Sequence, residues 1–135
     1  MPQLNPYRIF VSHAWSYNTS YSRFINMLTS ARYFSYRNYS VPVSKAFVGL
    51  GPYQLQEQLR KQIRPTQVVI VLAGMYTNHS NWIDFEIDFA ESLNKPILAV
   101  RPWAALRTPT RVVSAANEIV SWNTSSIVSA IRRLA

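Results

Sequence analysis

Cysteine is absent from this chain of 135 residues, which excludes disulfide staples, thiol nucleophiles and thiolate metal sites together. Glycine is almost as scarce. None of the three glycines belongs to a G-x-G-x-x-G or Walker-type loop, so neither redox dinucleotide binding nor P-loop phosphate chemistry is supported. The two histidines, His13 and His79, have no cluster of further ligands around them in the sequence, and no metal is expected. No apolar run approaches the roughly 18 residues that a membrane-spanning helix needs. Neither a signal-peptide pattern nor a basic amphipathic presequence is present, so a cytoplasmic protein without a membrane partner is expected. Negative charge is also in short supply: six acidic residues face 14 basic ones, for a net charge of +8.

What is present describes an ordered domain. Hydrophobic residues make up 48% of the chain and charged residues 15%, which places it among globular rather than disordered proteins. Its length suits one domain, residues 1–135, with a substantial core and no room for a second. The basic residues are dispersed, with no run longer than the pairs Arg60-Lys61 and Arg132-Arg133. Such a surface attracts anions in general without specifying one, and nucleic acid is not an expected partner. The stretch from Ala31 to Tyr39 interleaves aromatics with arginines. It reads either as an aromatic edge strand with solvated arginines or as a stacking platform for single strands, and strand composition favours the first.

Strand and helix signals alternate along the whole length. Arg8 to Ser12 is a short apolar strand, and Tyr21, Phe24, Ile25 and Leu28 follow at helical spacing. Tyr33 to Val43 is aromatic and irregular, and reads as a short edge strand passing into a loop. Pro52 opens a helix that stops before Pro65. Gln67 to Leu72 and Pro96 to Val100 are nearly continuous apolar runs, the pattern of parallel strands covered on both faces. Between them lies a helix that Asn78 or Ser80 is placed to cap. A proline-rich loop from Arg101 to Arg111 leads to a last strand, Glu118 to Trp122, and Asn123 then caps a C-terminal helix. Five strands joined through helices predict an α/β domain with a doubly wound parallel sheet and helices on both faces. Ligands bind such sheets beyond the carboxyl ends of the strands.

One acidic residue is out of place. Asp84, Glu86, Asp88 and Glu91 account for four of the six acids. On a helix turning about 100° per residue, Trp82, Ile83, Phe89, Ala90 and Leu93 form an apolar stripe, with Asp84, Asp88 and Glu91 on the opposite face. Glu86 projects from the middle of the stripe, one turn after Trp82. A carboxylate facing a core costs several kcal/mol unless it is paired or lines a cleft. Two readings follow: a buried glutamate paired with an arginine, or a functional carboxylate at the rim of a pocket. The second agrees with the fold, because Ser12-His13-Ala14-Trp15 ends the first strand and Ala73-Gly74-Met75-Tyr76 ends the third, just before the Glu86 helix. Ser12 and His13 do not make a triad, since neighbours on a strand point to opposite faces. His13 reads as either a hydrogen-bonded turn residue or an acid–base group, and Trp82 as core, pocket wall or both. Asp84 and Glu86 leave the helix on different sides and are poor candidates for a paired-carboxylate mechanism.

Phe10-Val11-Ser12-His13 at a strand end, with Trp82-x-x-x-Glu86 in the helix after the third strand, resembles a Toll/interleukin-receptor (TIR) domain. The resemblance is closest to the bacterial TIR-like proteins of Thoeris-type antiphage defence. The segments NYSVP (39–43), VVIVLAGMY (68–76), WIDFEI (82–87), KPILAVRPW (95–103) and SWNTSSIVSAIRRLA (121–135) carry it over nearly the whole chain. It implies a flavodoxin-like sheet and cleavage of the N-glycosidic bond of NAD⁺, which serves as substrate and not as a redox cofactor. Glu86 matches the family's essential glutamate. Ser12, His13, Trp15 and Trp82 are then expected to line the nucleotide pocket, with Ser44 contributing from a loop. The resemblance further implies self-association into TIR assemblies and a cyclic or modified ADP-ribose messenger read by a separate effector protein. The alternative is a non-catalytic TIR module that acts by assembly. There are departures from the family pattern. No acidic residue occurs in Ala14-Trp15-Ser16-Tyr17-Asn18, the stretch from Val43 to Gly51 is not a Gly-Pro-rich connector, and Ile83 stands where a cysteine often follows the tryptophan.

Overall fold

In the computed structural model the described residues are 6–12, 19–31, 34–39, 52–72, 76–101 and 110–135. Strands and helices alternate as β1 (Tyr7–Ser12), α1 (Thr19–Ser30), β2 (Tyr36–Asn38), α2 (Pro52–Ile63), β3 (Val68–Leu72), α3 (Tyr76–Ser92), β4 (Ile97–Val100), α4 (Thr110–Ala115), β5 (Glu118–Val120) and α5 (Thr124–Leu134). The five strands form one parallel sheet in the order β2-β1-β3-β4-β5. This is the doubly wound arrangement that the alternating signals predict, with the flavodoxin-like sheet that the resemblance implies.

The apolar runs explain the layering. Every residue of β3 and of β4 is buried, and side chains alternate between the two faces. Val68, Ile70 and Leu72 share one face with Ile9, Val11, Leu98 and Val100, beneath Phe24 and Leu28 of α1 and Ile127, Val128 and Ile131 of α5. Val69 and Val71 share the other face with Phe10, Ile97 and Ala99, beneath Leu59 and Ile63 of α2, Ile87 and Ala90 of α3 and Val112 of α4. Helices α1 and α5 thus cover one side of the sheet, and α2, α3 and α4 cover the other. From β1 the chain steps outward to β2, then crosses to β3 on the opposite side of β1. The switch point lies between the carboxyl ends of β1 and β3, where Ser12 is in register with Val71.

The expected helix signals act at several ends. Pro52 is the first residue of α2. The Asn123 side chain accepts a 3.0 Å hydrogen bond from the Ser126 N–H and caps α5, while Arg132 and Arg133 sit in its last turn, where positive charge favours the helix dipole. Helix α3 closes with Asn94 at φ 55°. The Lys95 N–H bonds the Ala90 carbonyl at 2.9 Å and the Asn94 N–H bonds the Glu91 carbonyl at 3.0 Å, the two bonds of a Schellman motif.

Four expectations need correction. Helix α3 begins at Tyr76, so neither Asn78 nor Ser80 caps it; a cap preference of about 1 kcal/mol does not stop a helix whose preceding turn keeps its hydrogen bonds. Leu93 lies in the closing turn and is 39% exposed, outside the apolar stripe, because the left-handed Asn94 bends the chain away. The segment from Arg101 to Arg111 does not run directly into a strand: α4 intervenes, and burial of Val112 offsets the modest helix propensity of its two valines. Strand β5 stops at Val120, whose carbonyl takes the Arg101 N–H at 2.9 Å. Trp122 instead packs edge-on against Phe24, with centroids 5.9 Å apart.

At the other edge, β2 pairs with β1 from Tyr7↔Tyr36 to Ile9↔Asn38. Phe34 stacks between Tyr7 and Tyr36 at 5.6 and 5.9 Å, with Arg132 over its ring at 5.9 Å, and the Tyr36 hydroxyl lies 2.8 Å from that of Thr29. These rings serve packing, in agreement with the edge-strand reading.

Candidate active site

Glu86 is 1% exposed. Its neighbours on the inner face of α3, Ile87 and Ala90, are fully buried, whereas Asp88 and Glu91 are exposed and Asp84 is half-buried. The helix therefore places one carboxylate on the core side of the sheet layer, as the interrupted stripe predicts. Glu86 is engaged in a polar or electrostatic contact within the molecule, as a buried carboxylate must be to avoid the full cost of desolvation.

Helix α3 spans 17 residues, about 25 Å at 1.5 Å per residue. β3 has five residues, about 16 Å at strand rise. The helix returns towards the amino edge of the sheet, where Leu93 to Pro96 turn into β4. Glu86 lies about 9 Å from that end, opposite the middle of the sheet rather than at its rim. Because Cα–Cβ bonds in a helix tilt towards the N-terminus, a side chain as long as glutamate leans from there towards the carboxyl edge. That edge carries the switch point.

The stripe of α3 beside Glu86 is aromatic. Phe85 and Phe89 stack with centroids 6.5 Å apart and planes 5° from parallel. Arg60 of α2 lies over both rings, its Cζ 5.3 Å from one centroid and 5.7 Å from the other. Arg64 lies over Phe89 at 5.8 Å. Arg60 also donates to the Glu57 carboxylate. In the sequence Arg60 and Arg64 stand out only as dispersed charge, and Phe85 falls outside the apolar stripe. The available signal was the matching spacing of four residues, Arg60 to Arg64 on one helix and Phe85 to Phe89 on the next.

Of the other expected site residues, Ser12 is the last residue of β1, at the carboxyl edge next to the switch point. Trp82 lies in α3 one turn before Glu86; the side chains of Ser12 and Trp82 are outside the described residues. His13, Trp15 and Ser44 lie wholly outside them. Two shallow grooves occur among the described residues, of about 560 and 320 Å³. Both are formed by α1 and α5, the first around Arg23, Met27, Trp122 and Asn123 and the second along Val128 and Arg132, on the face of the sheet opposite Glu86. They are separate from the candidate site. Among the described residues no group of three or more His, Cys, Asp or Glu stands together in a way that could hold a metal ion, and no helix is long and apolar enough to cross a membrane.

Compared with curated proteins, the chain has no match. Its match to a family model spans residues 10–107, from the middle of β1 past the end of β4, and includes Ser12, Trp82 and Glu86. The sheet order, the buried carboxylate of α3 and this match over more than half of the sequence agree: the chain belongs to the family of the TIR-like domain of the Thoeris protein ThsB.

Proposed function

We propose that this antiphage-defence TIR protein is an NAD⁺ nucleosidase or ADP-ribosyl cyclase, with Glu86 as its catalytic carboxylate. The observation that carries the reading is a carboxylate buried to 1% in the sheet-facing stripe of α3, one turn after Trp82, on a helix that packs against a doubly wound sheet. When the C1′–N bond to nicotinamide breaks, its electron pair leaves with the neutral base and the ribose becomes oxocarbenium-like. A carboxylate held close to that developing positive charge stabilises it, and does so more strongly where water is excluded. Water then adds at C1′ and releases a proton, giving ADP-ribose. A nucleophile of the same molecule adds instead to give a cyclic product. Ser12, His13, Trp15, Ser44 and Trp82 are the proposed pocket residues. Self-association completes the assembly, and the product is the signal read by a separate effector.

The contact that Glu86 makes inside the molecule favours one other reading, a structural glutamate in a non-catalytic assembly module. Incubating concentrated protein with NAD⁺ and a crowding agent, and separating the products by chromatography, tests the proposal. Free nicotinamide with ADP-ribose, or with a co-product lighter by one water, supports it. NAD⁺ left intact, in phage-infected lysate as well as in buffer, contradicts it.

A further inference from the structure

The two residues that bracket Glu86 on its neighbouring stripe, Phe85 and Phe89, are the two that α2 grips. Arg60 lies over both rings at 5.3 and 5.7 Å, and its guanidinium is held on another side by Glu57. Phe85 and Phe89 are centred about 80° round the helix from Glu86. A cation spread over two parallel rings resists both rolling and sliding of the helix that bears them, because either motion withdraws one ring from beneath the charge. Ile87 and Ala90 seat the sheet side of α3 in the core, and the clasp adds a restraint on its flank. The lever is long. Side-chain tips stand about 5–6 Å from a helix axis, so a roll of 10° moves the Glu86 carboxylate by about 1 Å. A displacement of that size costs up to about 10²-fold in rate when a reaction depends on placement.

We propose that Arg60 is a positioning residue for Glu86: by clasping Phe85 and Phe89 it sets the rotation of α3 and hence where the carboxylate stands. The kinetic part of this proposal rests on the reading of Glu86 as the catalytic group; the geometric part does not. The chain has four glutamates, Glu57, Glu86, Glu91 and Glu118, so labelling glutamate with ¹³C at the side-chain carboxyl gives few enough NMR signals to assign, with Glu86→Gln identifying its own. In Arg60→Ala the Glu86 signal is expected to move along with that of Glu57. In Lys61→Ala, which removes the same charge from the next, exposed position of α2, the Glu86 signal stays. Under conditions where the wild type turns over, Arg60→Ala is expected to lower kcat per folded molecule about 10-fold while KM for NAD⁺ stays within about twofold. Arg60→Lys, which keeps a cation over the rings, restores most of the loss. Should Arg60→Ala fail to fold, Arg60→Met keeps the aliphatic stem on the rings and carries the same expectations. An unmoved Glu86 signal, or a kcat no lower than that of Lys61→Ala, overturns the proposal. Full turnover by Glu86→Gln with a moved signal in Arg60→Ala overturns instead the catalytic reading of Glu86, and leaves the clasp standing.

Discussion

Replacing Glu86 by glutamine keeps the shape and hydrogen-bonding atoms of the side chain and removes only its charge. If Glu86 were one half of a structural ion pair, the substitution would leave its buried partner uncompensated, at a cost of about 3–5 kcal/mol. For a domain of this size each kcal/mol lowers the melting temperature by about 3–5 °C, so the structural reading predicts a fall of roughly 10–20 °C. A carboxylate kept for catalysis contributes little to folding, and glutamine can hold the neighbouring groups by neutral hydrogen bonds worth about 1 kcal/mol each. The expected change is then less than about 5 °C. Glu86→Leu sharpens the contrast. With the carboxylate 1% exposed and engaged in a contact inside the molecule, an apolar side chain of similar size removes a desolvation cost but leaves the contacting group unmatched. Where that group is neutral the two effects oppose, and the variant is expected to melt within about 5 °C of the wild type. Thermal unfolding followed by circular dichroism, with the same buffer and protein concentration for all three proteins, measures both. A fall of 10 °C or more in both variants would refute the reasoning and make Glu86 structural.

Asn123→Ala removes the side chain that caps α5 and should destabilise by about 1 kcal/mol, seen as a lower urea midpoint with an unchanged slope. Asn94→Gly relieves the residue at φ 55° and should raise the melting temperature slightly, by less than about 5 °C. Ile70→Ala opens a cavity in the fully buried third strand; a loss of about 2–5 kcal/mol is expected in chemical denaturation. Arg133→Ala breaks the bridge to Glu118, in which the arginine is more than half exposed, and should change stability by less than about 1 kcal/mol.

The parts of the fold that were legible are those where local pattern and tertiary environment agree. β3 and β4 are continuous apolar runs because both of their faces are covered, and the cap of α5 is a short-range hydrogen bond written in adjacent residues. Glu86 was legible for the converse reason: one charge breaking an apolar period is conspicuous at any level of resolution. Helix α4 was not, because two valines and a serine do not announce a helix; the burial of Val112 between sheet and solvent is a tertiary fact. The end of α3 depended on a left-handed asparagine whose effect is visible only in backbone angles. The clasp of Arg60 on Phe85 and Phe89 joins two helices with β3 between them in sequence. Spacing hints at each half, and only the packing of α2 on α3 brings the halves together.

The measurement closest to the central claim is nicotinamide release from NAD⁺ by the wild type and Glu86→Gln side by side, at equal folded concentration. The account predicts release by the wild type and a loss of at least 10²-fold in the variant, in line with removal of a single group that stabilises transition-state charge. Equal release by the two proteins would contradict it.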